Sequence, residues 1–395
     1  MSKLQLSLLI LSIAASMYSC GGNRTSFAVA DGEAVVIPFE TAIKNQRKVL
    51  MSEWVEKVEY IPLQTDTNCL IGNLWDNNVI RSQKFFFLAC GKSLLQYTRD
   101  GKFVRTIGSV GQGPGEYGWI TDIDVNDSSH QLFVSTTDEK INVYDTETGK
   151  FFRAIPFSGY EDFQFRMLND TTPVRFLYNS IGTEGHLAII SDLHGDTLCA
   201  YPRYHLFTVK EGMAFIVSSK SDRFVYRSGG DICCRENYND TIYTITRQAL
   251  TPRYIIDLGK YHLPLEYRYE LLGDDNKFNR MAVSYFAVRP IETARYLFLP
   301  YEPWGEDKDK ESLAIYDKKS GECYAVEGGA LSNDMDHLFD FQPTVALDDY
   351  TLMKVYSASK IFELAEKNPA ILKNESLQYL QEDDNPVLMV VTLKK

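Results

Sequence analysis

"EKINVYDTETGKFFRAIPF", residues 139–157, alternates apolar and polar side chains up to Tyr144, turns through a polar segment containing Gly149, and alternates again. That is the pattern of an antiparallel hairpin, because successive strand side chains point to opposite faces while Asp, Thr and Gly supply the turn. "GKSLLQYTRDGKFVRTIG" from Gly91 and "ESLAIYDKKSGECYAVEGG" from Glu311 repeat it, and "HLAIISDLHGDTLCAYPR" from His186 and "DTIYTITRQALTPRYIIDLG" from Asp240 are weaker copies. Anchored on Tyr97, Tyr144, Ser191, Tyr243 and Tyr316, the copies lie 47, 47, 52 and 73 residues apart.

The first three intervals are close to the roughly 40 to 50 residues that a four-stranded propeller blade uses. Further short strands lie between the hairpins, "NVIRS" with "KFFFLAC" and "ITDIDVN" with "QLFVSTT", giving about four strands per unit. The long interval holds an insertion, "LPLEYRYELLGDDNKFNRMAV" from Leu263, which can form a helix. A second helical stretch, "SASKIFELAEKNPAILKNESLQYLQ" from Ser357, precedes the terminal strand "NPVLMVVTLKK". The expected fold is therefore all-β: a six-bladed propeller of four-stranded antiparallel blades with two short helical insertions. Pairing the first and last strands would remove the exposed edge and lock the ring, and "EAVVIPF", residues 33–39, is the expected N-terminal partner.

"GKFVRTIGSVGQGPGEYGWITDIDVNDSSHQLFVSTTDEKINVYDTETGKF" resembles an NHL-type propeller repeat, and "NDTIYTI" (from Asn239), "LSNDMDH" (from Leu331) and "LQEDDNPVLMVVTLKK" (from Leu380) resemble the six-bladed propeller lipoproteins of Bacteroides-type bacteria. The resemblance runs from about residue 50 to the end. It implies the fold and is nearly silent on activity, since propellers carry many unrelated functions.

The N-terminus reads as a targeting segment. Lys3 is followed by the apolar run "LQLSLLILSIAASMYS", ending just before Cys20. This resembles a bacterial lipoprotein signal, which implies cleavage before Cys20 and its diacylation. The expected organisation is a signal peptide over 1–19, a linker over 20–32 and the propeller over 33–395. Residues just after Cys20 lack the acidic run that resembles a surface-export signal in this group, so the expected location is an outer-membrane lipoprotein facing the periplasm. The six remaining cysteines show no disulfide framework, and vicinal Cys233 and Cys234 are expected to alternate in and out of a strand. A formal charge of −12 argues against a generic nucleic-acid or anionic-membrane surface, leaving the lipid as the membrane contact.

"GSVGQGPGEYG", residues 108–118, invites comparison with a phosphate cradle, but Glu116 stands where a dinucleotide fingerprint needs its third glycine and Pro114 removes a backbone N–H. The stretch reads instead as the connection from an outer strand to the next inner strand. That role does not require Gln112, Glu116 or Tyr117, which are therefore candidate ligand contacts.

No motif supports calcium or zinc, and no cofactor is expected. "DIDVNDSS" offers Asp122 and Asp124, but an EF-type loop from Asp124 fails, with Ser129 in place of glycine and Ser135 in place of the twelfth-position Glu. "NDMDH" presents Asp334, Asp336 and His337 at alternating positions in what composition reads as a turn. Trp304, in the charged loop "YEPWGEDKDKE", is a candidate binding anchor. The six histidines form no H-E-x-x-H or i,i+4 pair, and no G-x-S-x-G occurs. The expectation is a non-enzymatic binding or scaffold protein of the envelope with a protein, peptide or glycan ligand. The alternative is a metal-dependent lyase or hydrolase at the channel mouth, drawing on Asp122, Asp124, Asp336 or His337.

Overall fold

A computed structural model of the chain describes residues 25–26, 33–72, 74–157, 163–179, 182–207, 225–236, 238–267, 275–305 and 311–395. Cys20 lies outside them. Six four-stranded antiparallel sheets form the ring. Blades I to V take their strands from 79–106, 120–156, 163–202, 225–256 and 286–326, each as a meander whose first strand lies innermost. The hairpins read from the sequence are the third and fourth strands of these five blades.

Blade VI is composite. Val345–Asp348, Thr351–Tyr356 and Val387–Leu393 are joined by an N-terminal strand, Val55–Pro62, which runs antiparallel to Val387–Leu393 from Val387↔Pro62 to Leu393↔Val55. The ring is closed by its two ends, as expected, but not by "EAVVIPF". Val35–Ile37 instead lies parallel to Tyr254–Ile256 as a fifth, outermost strand of blade IV. Gln46–Arg47 does the same on blade V, pairing with Ala325 and Val326, and Thr25–Ser26 on blade III, pairing with Cys199 and Ala200. The N-terminal segment is thus a belt that laces successive blades before it enters blade VI.

Adjacent blades bury their facing side chains in six apolar clusters, one per interface. A strand inside the ring therefore has a buried residue on both faces, which explains runs such as Phe85–Cys90. Cys233 belongs to the cluster between blades IV and V and Cys234 to that between III and IV. They alternate in direction, but both are buried, because each face meets another blade. All six described cysteines are free thiols.

The belt is held by side chains as well as by its ladders. Ile37 and Phe39 are fully buried in the cluster between blades IV and V, where Phe39 meets the Tyr301 ring edge-on with centroids 5.2 Å apart. Met51 enters the cluster between blades V and VI. Glu292, on the inner side of blade V, is buried beside Arg253 (2.9 Å), Lys318 (2.7 Å) and the Tyr226 hydroxyl (3.0 Å), tying blade V to blade IV. Burial works against its charge, but Lys318 and Arg253 outweigh it and hold the carboxyl below its usual range.

Helices are few. Asp275–Ala282 packs a satellite cluster of Leu263, Phe278 and Ala282. Ala358–Lys367 starts at Ser357, whose hydroxyl accepts from the Lys360 N–H at 3.1 Å, a cap that satisfies one of the orphan amides of the first turn. No described helix is long and apolar enough to cross a membrane. Phe39→Ala should destabilise the protein by about 3–5 kcal/mol in urea unfolding, the cost of a buried aromatic cavity, if the belt is part of the folded core; a change under about 1 kcal/mol would show that it is a loose appendage.

Candidate functional site

In a four-stranded meander the first-to-second and third-to-fourth turns leave one end of the blade, while second-to-third and blade-to-blade connections leave the other. The first set contains turns of at most five residues. The second holds the glycine-rich stretch, both helices and the 327–344 connection. We call these the turn side and the insertion side.

Around the axis lies a cavity of about 1000 Å³. Each inner strand, or the residue just after it, contributes charge: Arg81, Asp122 and Asp124, Arg166, Arg227, Arg289 and Asp348 in blades I to VI. Short inner strands crowd these side chains, and most find an opposite charge. Arg81 pairs with Asp348 and donates to the Thr351 hydroxyl at 3.0 Å; Arg289 pairs with Glu311. Asp122 accepts from Arg166 at 2.8 Å and from the Phe165 N–H at 3.0 Å. Asp124 accepts from Arg227 at 2.7 Å and from the Met167 N–H at 2.8 Å, joining blade II to blades III and IV. The Gly229 N–H of blade IV donates to Asp349 of blade VI at 2.8 Å. Non-neighbouring blades therefore touch across the turn-side end of the channel.

Asp122 and Asp124, singled out as metal-capable, are thus engaged by arginines and backbone amides. Among the described residues no group of three or more His, Cys, Asp or Glu side chains is placed to hold a metal ion.

The glycine-rich stretch is pinned to blade II. Glu116 accepts from the Gly113 N–H at 2.8 Å, closing the loop on itself. Tyr117 is fully buried and its hydroxyl donates to the Ile107 carbonyl at 2.7 Å; burial pushes its pKa up to about 12. The Tyr144 hydroxyl, from the repeated hairpin, donates to the Gly115 carbonyl at 2.9 Å. Gly115 has φ +74°, and a Cβ there would meet the Phe151 side chain at 2.7 Å, so the position needs glycine. Only Gln112, exposed at the tip, has no such duty.

The other candidates are spread apart. Asp334 accepts from the Ser52 N–H at 2.9 Å and the Ser52 hydroxyl at 2.5 Å, and these bonds lower its pKa. Asp336 accepts from Asn333 at 2.6 Å and from the Tyr60 hydroxyl of the closing strand at 3.0 Å. His337 adopts φ +57°, and its carbonyl accepts from Asn368, which follows the helix Ala358–Lys367. "NDMDH" is a turn that staples belt, closing strand and helix. Trp304 stacks on Tyr238 with centroids 4.7 Å apart, over the satellite cluster. None of these four side chains lines the cavity described above.

Of the residues that do line it, Asp124 was picked out from the sequence, but Arg81, Arg99, Arg227 and Trp75 were not. A readable signal existed: an arginine or aspartate inside an otherwise apolar inner strand, as in "VIR", "FQFRMLN" and "VYRS".

Residues 34–392 match a domain of unknown function, DUF4934. The chain belongs to the DUF4934 family. No curated protein matches this DUF4934 chain. Among solved structures, a Bacteroides fragilis protein described as exported is similar over 91% of this chain and 100% of its own, at 17% identity and a TM-score of 0.66. A DUF4221 family member from Bacteroides vulgatus covers 86% of this chain and 97% of its own, at 10% identity and a TM-score of 0.49. The first of these likenesses shows the fold.

Asp122→Ala in the DUF4934 propeller should cost about 3–5 kcal/mol, because Arg166 is left buried without its counter-charge. Gln112→Ala should stay within about 0.5 kcal/mol. Equal effects in chemical denaturation would contradict the roles given to these residues.

Proposed function

We propose that this chain is an exported, lipid-anchored propeller that binds a protein, peptide or glycan at the cell envelope without catalysing a reaction. The observation that carries the binding reading is the distribution of exposed apolar side chains. Of the fifteen large hydrophobic residues exposed among the described residues, ten sit in insertion-side connections, including Trp75, Trp119, Tyr204 and Tyr379. Exposed apolar surface in water is unfavourable, so its concentration on one side of a rigid ring is the mark of a surface that is covered when working. Indole and phenol rings serve such surfaces well, with large contact area and little rotamer freedom to lose. Loops on a rigid scaffold are the usual place for recognition.

The apolar segment ending at Cys20 supports export and lipidation, and the similarity to a protein described as exported agrees with it. The stretch after Cys20, without an acidic run, favours the periplasmic side of the outer membrane. The carboxylates on which a metal-dependent lyase or hydrolase would draw are engaged by Arg166, Arg227 and Tyr60.

Two experiments test the reading. Cys20→Ser should move the protein from the membrane to the soluble fraction and abolish labelling with a radioactive fatty acid; persistent membrane association would remove the lipid anchor. Immobilised wild-type protein should retain a ligand from envelope extracts, and the double variant Trp75→Ala/Trp119→Ala should lose most of that retention at unchanged melting temperature. Undiminished retention would place the binding surface elsewhere.

A further inference from the structure

Six arginines line the axial cavity: Arg81, Arg99, Arg166, Arg227, Arg235 and Arg289. Five have a carboxylate within 4 Å, respectively Asp348, Asp122, Asp124, Asp240 and Glu311 for all but Arg99. Arg99 donates one hydrogen bond, from Nη1 to the Ser82 carbonyl at 3.3 Å, and its Nε is buried with no partner. The guanidinium lies over the Phe86 ring at 4.9 Å, which fixes its plane. A buried guanidinium nitrogen without a partner is costly, and native structures leave few of them without a reason.

The surroundings reinforce the point. Burial, and then the neighbouring Arg99 charge, push Arg81 below the ordinary guanidinium range, so two cations share this corner. The acids nearby are engaged: both Asp127 oxygens accept from the Gln83 N–H at 3.1 and 3.2 Å, Glu59 takes Lys57 at 2.7 Å, and Asp348 takes Arg81. Thr392 and Lys395 line the same cavity from the closing blade, adding a hydroxyl and an ammonium.

We propose that this corner, at the turn-side seam between blades I and VI, binds an oxyanion group of a small ligand, with Arg99 as its principal donor. Nη2 of Arg99 carries no hydrogen bond and is not enclosed, so it is the nitrogen open to a carboxylate or phosphate oxygen, on a planar head held by Phe86 in an orientation that lysine cannot reproduce. A cavity of about 1000 Å³ accommodates the rest of a small molecule. The corner lies on the turn side, whereas Trp75, which lines the same cavity, enters it from the insertion side, and Trp119 does not line it.

The test is a thermal-unfolding titration of the full chain with inorganic phosphate, acetate or glucuronate, against sodium chloride at matched ionic strength. Wild-type protein should show a saturable rise in Tm with phosphate, with the two carboxylates, or with both, beyond that of chloride; the active arm identifies the group. Arg99→Gln should weaken the apparent affinity about 10- to 100-fold, as loss of charge-assisted hydrogen bonds does, and Arg99→Lys should restore little of it. Equal shifts with chloride, or an unchanged titration in Arg99→Gln, would overturn the proposal. Should Arg99→Gln fail to fold, the wild-type comparison with chloride decides alone. Failure to retain an envelope partner through Trp75 and Trp119 would leave this result standing, and the reverse also holds.

Discussion

Everything in this molecule depends on the pairing of Val55–Pro62 with Val387–Leu393. Sheet edges carry unpaired N–H and C=O groups, and a ring of sheets stays closed only if its last interface is as well made as the others. Here the seam is made twice, by the hydrogen-bond ladder within blade VI and by apolar packing of Ile61 and Leu63 against blade I. The belt extends the same logic outward. By adding a parallel outermost strand to blades IV and V, residues 35–47 add main-chain pairing to two blades whose facing side chains already pack together.

A closed ring forces its inner strands together on the axis, and this sequence fills that space with charge. Apolar inner strands would seal the channel; arginines and aspartates keep a cavity open at the cost of desolvation, offset by pairing across blades. Asp122 with Arg166, and Asp124 with Arg227, are such pairs. Against them Arg99 stands out, since its neighbours are satisfied and it is not. The insertion side follows a different rule. Its connections are long, and they carry the exposed Trp, Tyr and Leu side chains that the blade interiors cannot use.

The blades were legible because the hairpin that repeats is the one with the strongest alternation and the most regular turn. Gly101, Gly149 and Gly195 mark that turn in blades I to III, each with positive φ and each against the outer strand of the preceding blade. The closing strand was not legible. Glu56, Lys57 and Glu59 give "VEKVEYIP" the look of a surface segment, which an outermost strand is, while the apolar "AVVI" looked like a core strand although Val35 and Val36 are 45% and 56% exposed. The candidate site failed for a related reason. Local composition in "NDMDH" and the glycine-rich stretch drew attention to turns whose polar groups bond their own neighbourhood. The cavity residues are single charges from six distant strands, a constellation with no local motif. Trp304 could not be told from a binding anchor because its partner Tyr238 lies on another connection.

The most direct test of the account is native-state hydrogen exchange on the full chain, following the amides of residues 55–62 beside those of residues 387–393. If this pairing holds the ring, both strands should exchange only through global unfolding, with the same free energy and the same dependence on denaturant. Exchange of residues 55–62 at a much lower free energy, with residues 387–393 still protected, would show that the ring survives without its N-terminal strand and would contradict the central claim.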